Sequence, residues 1–255
     1  MPFFAALAGV VGFFLRLTEL MNVFDPRTGL PERGATITYA LMAFSALFLI
    51  FVLIFAIRAS VKHKAPNGFE NAFGTDPLSY PFVFSAIGVV WFGATVKYFF
   101  DMNASDSMLT TDVYFSVLSA LSAISIAFFA IEMYQDSRRK TRFALSVVPT
   151  IFMCFWLIVM YRQNASNPIL LSYAYQCLAI IASALGFYLT SGFIYNKPAP
   201  GKAIFFYFAA VYFCFITLAD DHSIAIKIIF ATIIAVNLVN ASMLIRNLRR
   251  KEVSY

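Results

Sequence analysis

The chain has 255 residues, of which 61% are hydrophobic and only 13% charged, with a mean hydropathy of +0.77. A soluble domain usually carries about 25% charged residues, so this composition excludes an ordinary soluble domain. The pI of 9.2 is of the kind found in nucleic-acid-binding proteins, but the basic residues lie in the breaks between apolar runs rather than on one continuous face. We therefore expect the lipid bilayer as the main partner, and no nucleic acid.

Eight apolar runs follow one another along the chain with polar breaks between them. A helix that crosses a bilayer needs roughly 20 mostly apolar residues, and the runs have about this length. The first run has no basic region before it, so we expect a span rather than a cleavable signal. The predicted spans are 2–21, 35–57, 78–100, 112–134, 143–161, 168–193, 205–219 and a last run that ends at Arg246.

The sequence therefore predicts an all-α, polytopic integral membrane protein with eight transmembrane helices in a single domain, 1–255. The break 58–77 is the longest, and its Pro, Gly and Asn residues predict structured turns. Basic triplets at 138–140 and 249–251 end the fourth and eighth runs. Two four-helix halves, about 1–140 and 143–251, would produce this pattern. The alternative is that any helix ending on the basic side collects Lys and Arg.

Sidedness follows from the distribution of positive charge. With both termini in the cytoplasm, the inner breaks hold 13 of the 19 Lys and Arg residues, and the outer breaks and helix ends hold 6. Cytoplasmic loops carry the excess of Lys and Arg in multi-pass proteins. We therefore expect short loops, both termini in the cytoplasm, and a location in the cell membrane, specifically a bacterial cytoplasmic membrane.

Three of the runs carry small residues at helical spacing, which favours close contact between helices. These residues are Gly9 and Gly12 in the first run, Ser116, Ser119, Ala123 and Ala127 in the fourth, and Ala179, Ala182, Ser183 and Gly186 in the sixth.

The candidate site residues are charged groups that share one membrane depth, near the predicted outer face. They are Arg16, Glu19, Lys97, Asp101, Arg162, Asp220, Asp221 and Lys227, with Asp112 beside them. Side chains that point inward would line a polar vestibule for an anionic or zwitterionic ligand, or a relay for protons; side chains that point outward would anchor helix ends. Spacing of three and four residues also predicts that Arg16 pairs with Glu19, and Lys97 with Asp101.

The hairpin between the last two runs holds the most unusual charge. Lys227 lies inside an apolar run, and an intramembrane charge is a functional candidate by default. It is also close enough to His222 to snorkel or to pair with Asp220 or Asp221. The triplet of Asp220, Asp221 and His222 is a weak metal pattern. A tight turn capped by Ser223 or Asp221 is the alternative.

The residues do not favour catalysis or a cofactor. His63 and His222 fall in breaks on opposite sides, which does not suit a haem held between helices. The sequence contains no HExxH helix, Walker loop, nucleophile elbow or Gly-rich nucleotide fingerprint. The three cysteines lie inside apolar runs, where Cys usually acts as a small hydrophobe. We therefore expect no metal site, no cofactor and no catalytic residues.

Two functions remain. The first is a permease-like or transporter-like protein whose outer vestibule contacts a small polar or anionic solute. The second is a non-catalytic membrane subunit or sensor, in which small-residue faces and basic loops dock other membrane subunits. An enzyme ranks third, because no catalytic set of residues was found. A solvent-connected cavity lined by the candidate charges would favour the first function.

Overall fold

The computed structural model describes residues 1–24, 34–62, 68–74, 79–104, 109–134, 139–165 and 169–252. Every secondary-structure element in these ranges is an α-helix. The elements are α1 (Pro2–Asn22), α2 (Thr36–Lys62), α3 (Phe69–Phe73), α4 (Ser79–Ala104), α5 (Thr110–Tyr134), α6 (Arg139–Asn164), α7 (Leu170–Ile194), α8 (Pro200–Thr217) and α9 (Ile224–Glu252).

Eight helices in the described part of the chain are long and apolar enough to cross a membrane. They are all the helices except the five-residue α3. The all-α class and the eight spans predicted from hydropathy are therefore confirmed. The location of the termini in the cytoplasm stays a prediction from the charge bias.

Helix α8 is the most buried of the eight spans. Of the residues in its membrane-spanning stretch, 78% are buried, against 33% in α1 and 28% in α2. Helix α8 packs against α1, α2, α7 and α9. The outer faces of the bundle present large apolar side chains such as Phe3, Leu47 and Val89. Lipid tails are as apolar as these side chains, so their exposure suits a protein surrounded by acyl chains.

The predicted small-residue faces are used inside the protein. A Cβ added to Gly9 of α1 would lie 2.5 Å from the Phe215 ring of α8, and one added to Gly12 would lie 2.9 Å from Ile216. In α7, a Cβ added to Gly186 would lie 2.9 Å from Asn237 Oδ1 of α9. The prediction that these residues mark close helix contacts is confirmed.

The short helix α3 lies in the break where the sequence predicts only turns. Its apolar residues Phe69, Ala72 and Phe73 are buried, and the Phe73 ring meets the Phe193 ring of α7 edge-on at 5.2 Å. Five residues are too few for a helix that is stable by itself. The burial of its side chains against neighbouring helices stabilises α3. The turn residues in this break do not indicate that burial, so the sequence did not predict the helix.

We expect Asn247→Ala to loosen α3 selectively. Asn247 of α9 donates to the carbonyl oxygens of Ala72 at 2.8 Å and Gly74 at 3.1 Å, groups that a helix end leaves without partners. Loss of these bonds costs about 1–3 kcal/mol. The backbone amides of residues 69–74 should therefore exchange their hydrogens faster with solvent. Asn22→Ala, which removes an exposed bond to the Thr18 carbonyl oxygen, is the control. Unchanged exchange in Asn247→Ala would contradict this account.

Candidate functional site

A large cavity opens at one end of the bundle. It has a volume of about 1010 Å³ and lies where α1, α4 and α6 end and where α7 and α9 begin. Its rim includes the exposed side chains of Gln163, Asp221 and Ser223, so it communicates with the surroundings of the protein. The polar lining includes Gln163, Asn164, Gln176, Asp220, Asp221 and His222.

A buried ion cluster made by Arg16, Glu19 and Asp220 lies beside this cavity. Arg16 Nη1 donates to Glu19 Oε2 at 2.7 Å, and Arg16 Nε donates to Asp220 Oδ1 at 2.8 Å. Arg16 and Glu19 are 0% exposed and Asp220 is 6% exposed. The predicted Arg16–Glu19 pair is confirmed. Asp220 also lines the cavity, so the cluster reaches the cavity wall.

Further contacts hold the Arg16 guanidinium in place. Its Nη2 donates to the carbonyl oxygens of Leu171 at 3.2 Å and Ser172 at 3.4 Å, at the start of α7. The guanidinium also lies 5.3 Å from the centre of the Tyr175 ring, within range of a cation–π interaction. Arg16 therefore joins α1, α7 and the α8–α9 turn.

The carboxylates of the cluster are not fully paired. Glu19 Oε1 and Asp220 Oδ2 are buried and have no hydrogen-bond partner among the described residues. One guanidinium faces two carboxylates, and a buried charge is costly unless it is paired and hydrogen-bonded. These two oxygens can accept a proton, a hydrogen bond or a cation.

The α8–α9 turn supplies the acidic and histidine side chains of the cavity lining, which are Asp220, Asp221 and His222. Burial raises the pKa of Asp220 above its ordinary value, and the positive charge of Arg16 opposes that rise. Burial and the charge of Lys227 lower the pKa of His222 to about 4, with Asp221 opposing. His222 is therefore uncharged near neutral pH.

Ser223 Oγ accepts from the backbone N–H of Ile226 at 3.4 Å, so Ser223 caps α9 as the sequence suggested.

The structure separates the predicted site residues into two groups. Arg16, Glu19 and Asp220 meet in the buried ion cluster, Asp221 lies on the cavity rim, and the charge of Lys227 acts on both Asp220 and His222.

The second group is not among the described residues that line the cavity. Lys97 Nζ and Asp101 Oδ2 form the predicted ion pair at 2.9 Å, but their side chains are 45% and 40% exposed. Arg162 is exposed next to the rim residue Gln163.

An aromatic wall is the part of the site that sequence reasoning missed. We use this name for Tyr98, Phe115, Trp156 and Phe230, whose neighbouring rings are separated by 5.0, 5.3 and 4.8 Å in that order. The first three line the cavity, and the His222 ring lies 6.0 Å from Phe230. Because 18% of the chain is aromatic, residue type alone did not distinguish these rings from lipid-facing ones.

Asp112, the acid that the sequence placed beside the site, fixes one end of this wall. Its Oδ1 accepts the Tyr98 hydroxyl at 3.0 Å, and its Oδ2 accepts the backbone N–H of Leu109 at 3.0 Å. The carboxylate is buried and holds the phenol in one orientation.

The fold and the cavity together define a multi-pass helical membrane protein with a polar, aromatic-lined chamber at one end. Among the described residues, no group of three or more His, Cys, Asp or Glu could hold a metal ion. No protein-family model, curated protein or solved structure matches the chain. The functional argument therefore depends on the residues themselves.

Proposed function

We propose that the protein is a permease that carries a small polar solute across the membrane, with the cavity as its binding site. The observation that carries this proposal is the cavity of about 1010 Å³ with the buried ion cluster beside it. Small-molecule sites have volumes of about 300–1,000 Å³ and combine apolar walls with a few well-placed polar groups. Intramembrane ionisable residues are costly and commonly mark a solute or ion pathway.

The packing of the small-residue faces favours a permease over a docking subunit. The face of α5 packs on α4, and the buried Ser183 of α7 lies 3.6 Å from Cys214 Sγ of α8. These faces are occupied within the chain, so they do not offer a surface for another subunit. The charge bias of the loops supports a cavity that faces outward, away from the cytoplasm.

Uptake by liposomes containing the purified protein tests the proposal. The probes are labelled choline, glycine betaine and succinate, which are a small cation, a zwitterion and an anion. We expect protein-dependent uptake of one probe. Ile226→Trp, which adds bulk to a cavity-lining position, should reduce that uptake about tenfold or more.

Ile224→Trp is the matched control, because Ile224 lies on the same helix, is 66% exposed and is not among the described lining residues. It should retain uptake. Uptake no faster than in protein-free liposomes would contradict the permease. Binding of a probe without uptake would favour a sensor.

A further inference from the structure

We infer that the cavity binds a small organic cation, an ammonium compound whose charged group lies between Asp220 and the aromatic wall. This inference rests on the proposed solute site and specifies the chemical class of the solute. Three observations support it: the charges around the cavity, an acceptor without a partner, and the aromatic rings.

The charges around the cavity favour a positive ligand. The charged side chains among its described lining residues are those of Asp220 and Asp221. With the carboxylates ionised, Arg16 and Lys227 together carry one charge fewer than Glu19, Asp220 and Asp221. A cation restores neutrality, whereas an anion adds to the excess. His222, uncharged near neutral pH, does not supply the missing charge.

Asp220 places an incompletely paired carboxylate at the cavity. Its Oδ1 is used by Arg16 Nε, and its Oδ2 is buried and has no partner among the described residues. The residue is 6% exposed and lines the cavity. The charge of Asp220 is therefore only partly balanced, and it attracts an ammonium group in the cavity.

Three rings of the aromatic wall line the same cavity as Asp220. Rings carry negative potential on their faces and attract quaternary and primary ammonium groups. Trp156, the most favourable ring type for this contact, lines the cavity, as does Tyr98. Phe230 lies 4.8 Å from the Trp156 ring and 6.0 Å from the His222 ring, so the wall meets the α8–α9 turn that carries Asp220.

Four cations at one membrane depth suggested an anionic or zwitterionic ligand, or a relay for protons. The structure argues against the anionic ligand, because Arg16 is committed to two carboxylates and Lys97 to Asp101. Arg162 and Lys227 are not among the described lining residues.

Binding to the detergent-solubilised wild-type protein tests the inference without requiring transport. The probe is labelled choline, and the competitors are tetramethylammonium, the neutral isostere 3,3-dimethylbutan-1-ol and the anion 3,3-dimethylbutanoate. We expect tetramethylammonium to displace choline. The neutral alcohol and the anionic carboxylate should both bind at least about tenfold more weakly than choline. The wild-type comparison does not depend on the folding of any variant.

Asp220→Asn should weaken choline binding about tenfold or more and leave binding of the neutral isostere unchanged. Asp101→Asn, which breaks only an exposed pair, is the control and should bind choline normally. Equal affinity for choline and its neutral isostere, preference for the anion, or no choline binding by folded wild-type protein would each overturn the inference. Choline binding without uptake would contradict the permease and leave the cation site standing.

Discussion

Arg16→Met is expected to destabilise the folded protein by about 3–5 kcal/mol, the cost of removing one partner from a buried ion pair. Glu19 and Asp220 would stay buried next to each other without the guanidinium that now contacts both at 2.7 and 2.8 Å. Two anions would then face each other in a site with little access to water. Titration with SDS in mixed micelles, followed by tryptophan fluorescence, would give the change in free energy of unfolding.

Two comparisons separate the charge effect from loss of packing. Lys97→Met breaks an ion pair of similar length that is nearly half exposed, and such pairs contribute at most about 1 kcal/mol. Combining Arg16→Met with Glu19→Gln and Asp220→Asn should recover much of the lost stability, because no charge remains in the buried ion cluster. Equal stability of the Arg16→Met and Lys97→Met variants would show that the buried ion cluster does not support the fold.

The spans were predictable because hydropathy depends only on local composition, but their ends were less so. Helix α2 extends to Lys62, beyond the predicted end at 57, and α6 begins at Arg139, before the predicted start at 143. Basic side chains lower the hydropathy at these ends without breaking backbone hydrogen bonds. The helices therefore continue past the apolar run that hydropathy detects.

The inward direction of Arg16 could have been predicted from its spacing relative to Gly9 and Gly12. Gly9, Gly12, Arg16 and Glu19 are separated by three, four and three residues, so they share one helix face. The glycines of that face pack on Phe215 and Ile216 of α8. Arg16 and Glu19 lie on the same face, so they also point into the protein.

The contact between Arg16 and Asp220 was not predictable in the same way. The two residues are 204 positions apart, and no local spacing relates them. Only the packing of α1 on α8 brings the α8–α9 turn to Arg16. The aromatic wall has the same origin, since its rings come from α4, α5, α6 and α9. Elements of the site that depend on tertiary packing were therefore the ones the sequence left open.

Gly88→Ala is expected to separate α4 from α5. A Cβ at position 88 would lie 2.9 Å from both the backbone oxygen of Ala123 and the Cβ of Ala127. Neither atom is the end of a flexible side chain, so the helices themselves must move. Overpacking of this kind costs about 1–3 kcal/mol, measured as the free energy of unfolding in the same mixed micelles.

The same movement should disturb hydrogen bonds farther along this interface. Ser119 Oγ accepts from Trp91 Nε1 at 3.0 Å and lies 2.7 Å from Thr95 Oγ1. Trp91 is fully buried, so separation of the helices should shift its fluorescence emission toward that of a more polar environment.

Gly93→Ala is the matched control on the same helix, because no atom of the described residues lies within 4 Å of a Cβ added there. It gains helix propensity without a clash, so we expect unchanged stability or a gain of up to about 1 kcal/mol. Its tryptophan emission should match that of the wild type. If Gly88→Ala behaves like Gly93→Ala in both measurements, the close approach of α4 and α5 at position 88 is not required. The small-residue stripe of α5 would then have no packing role at that point.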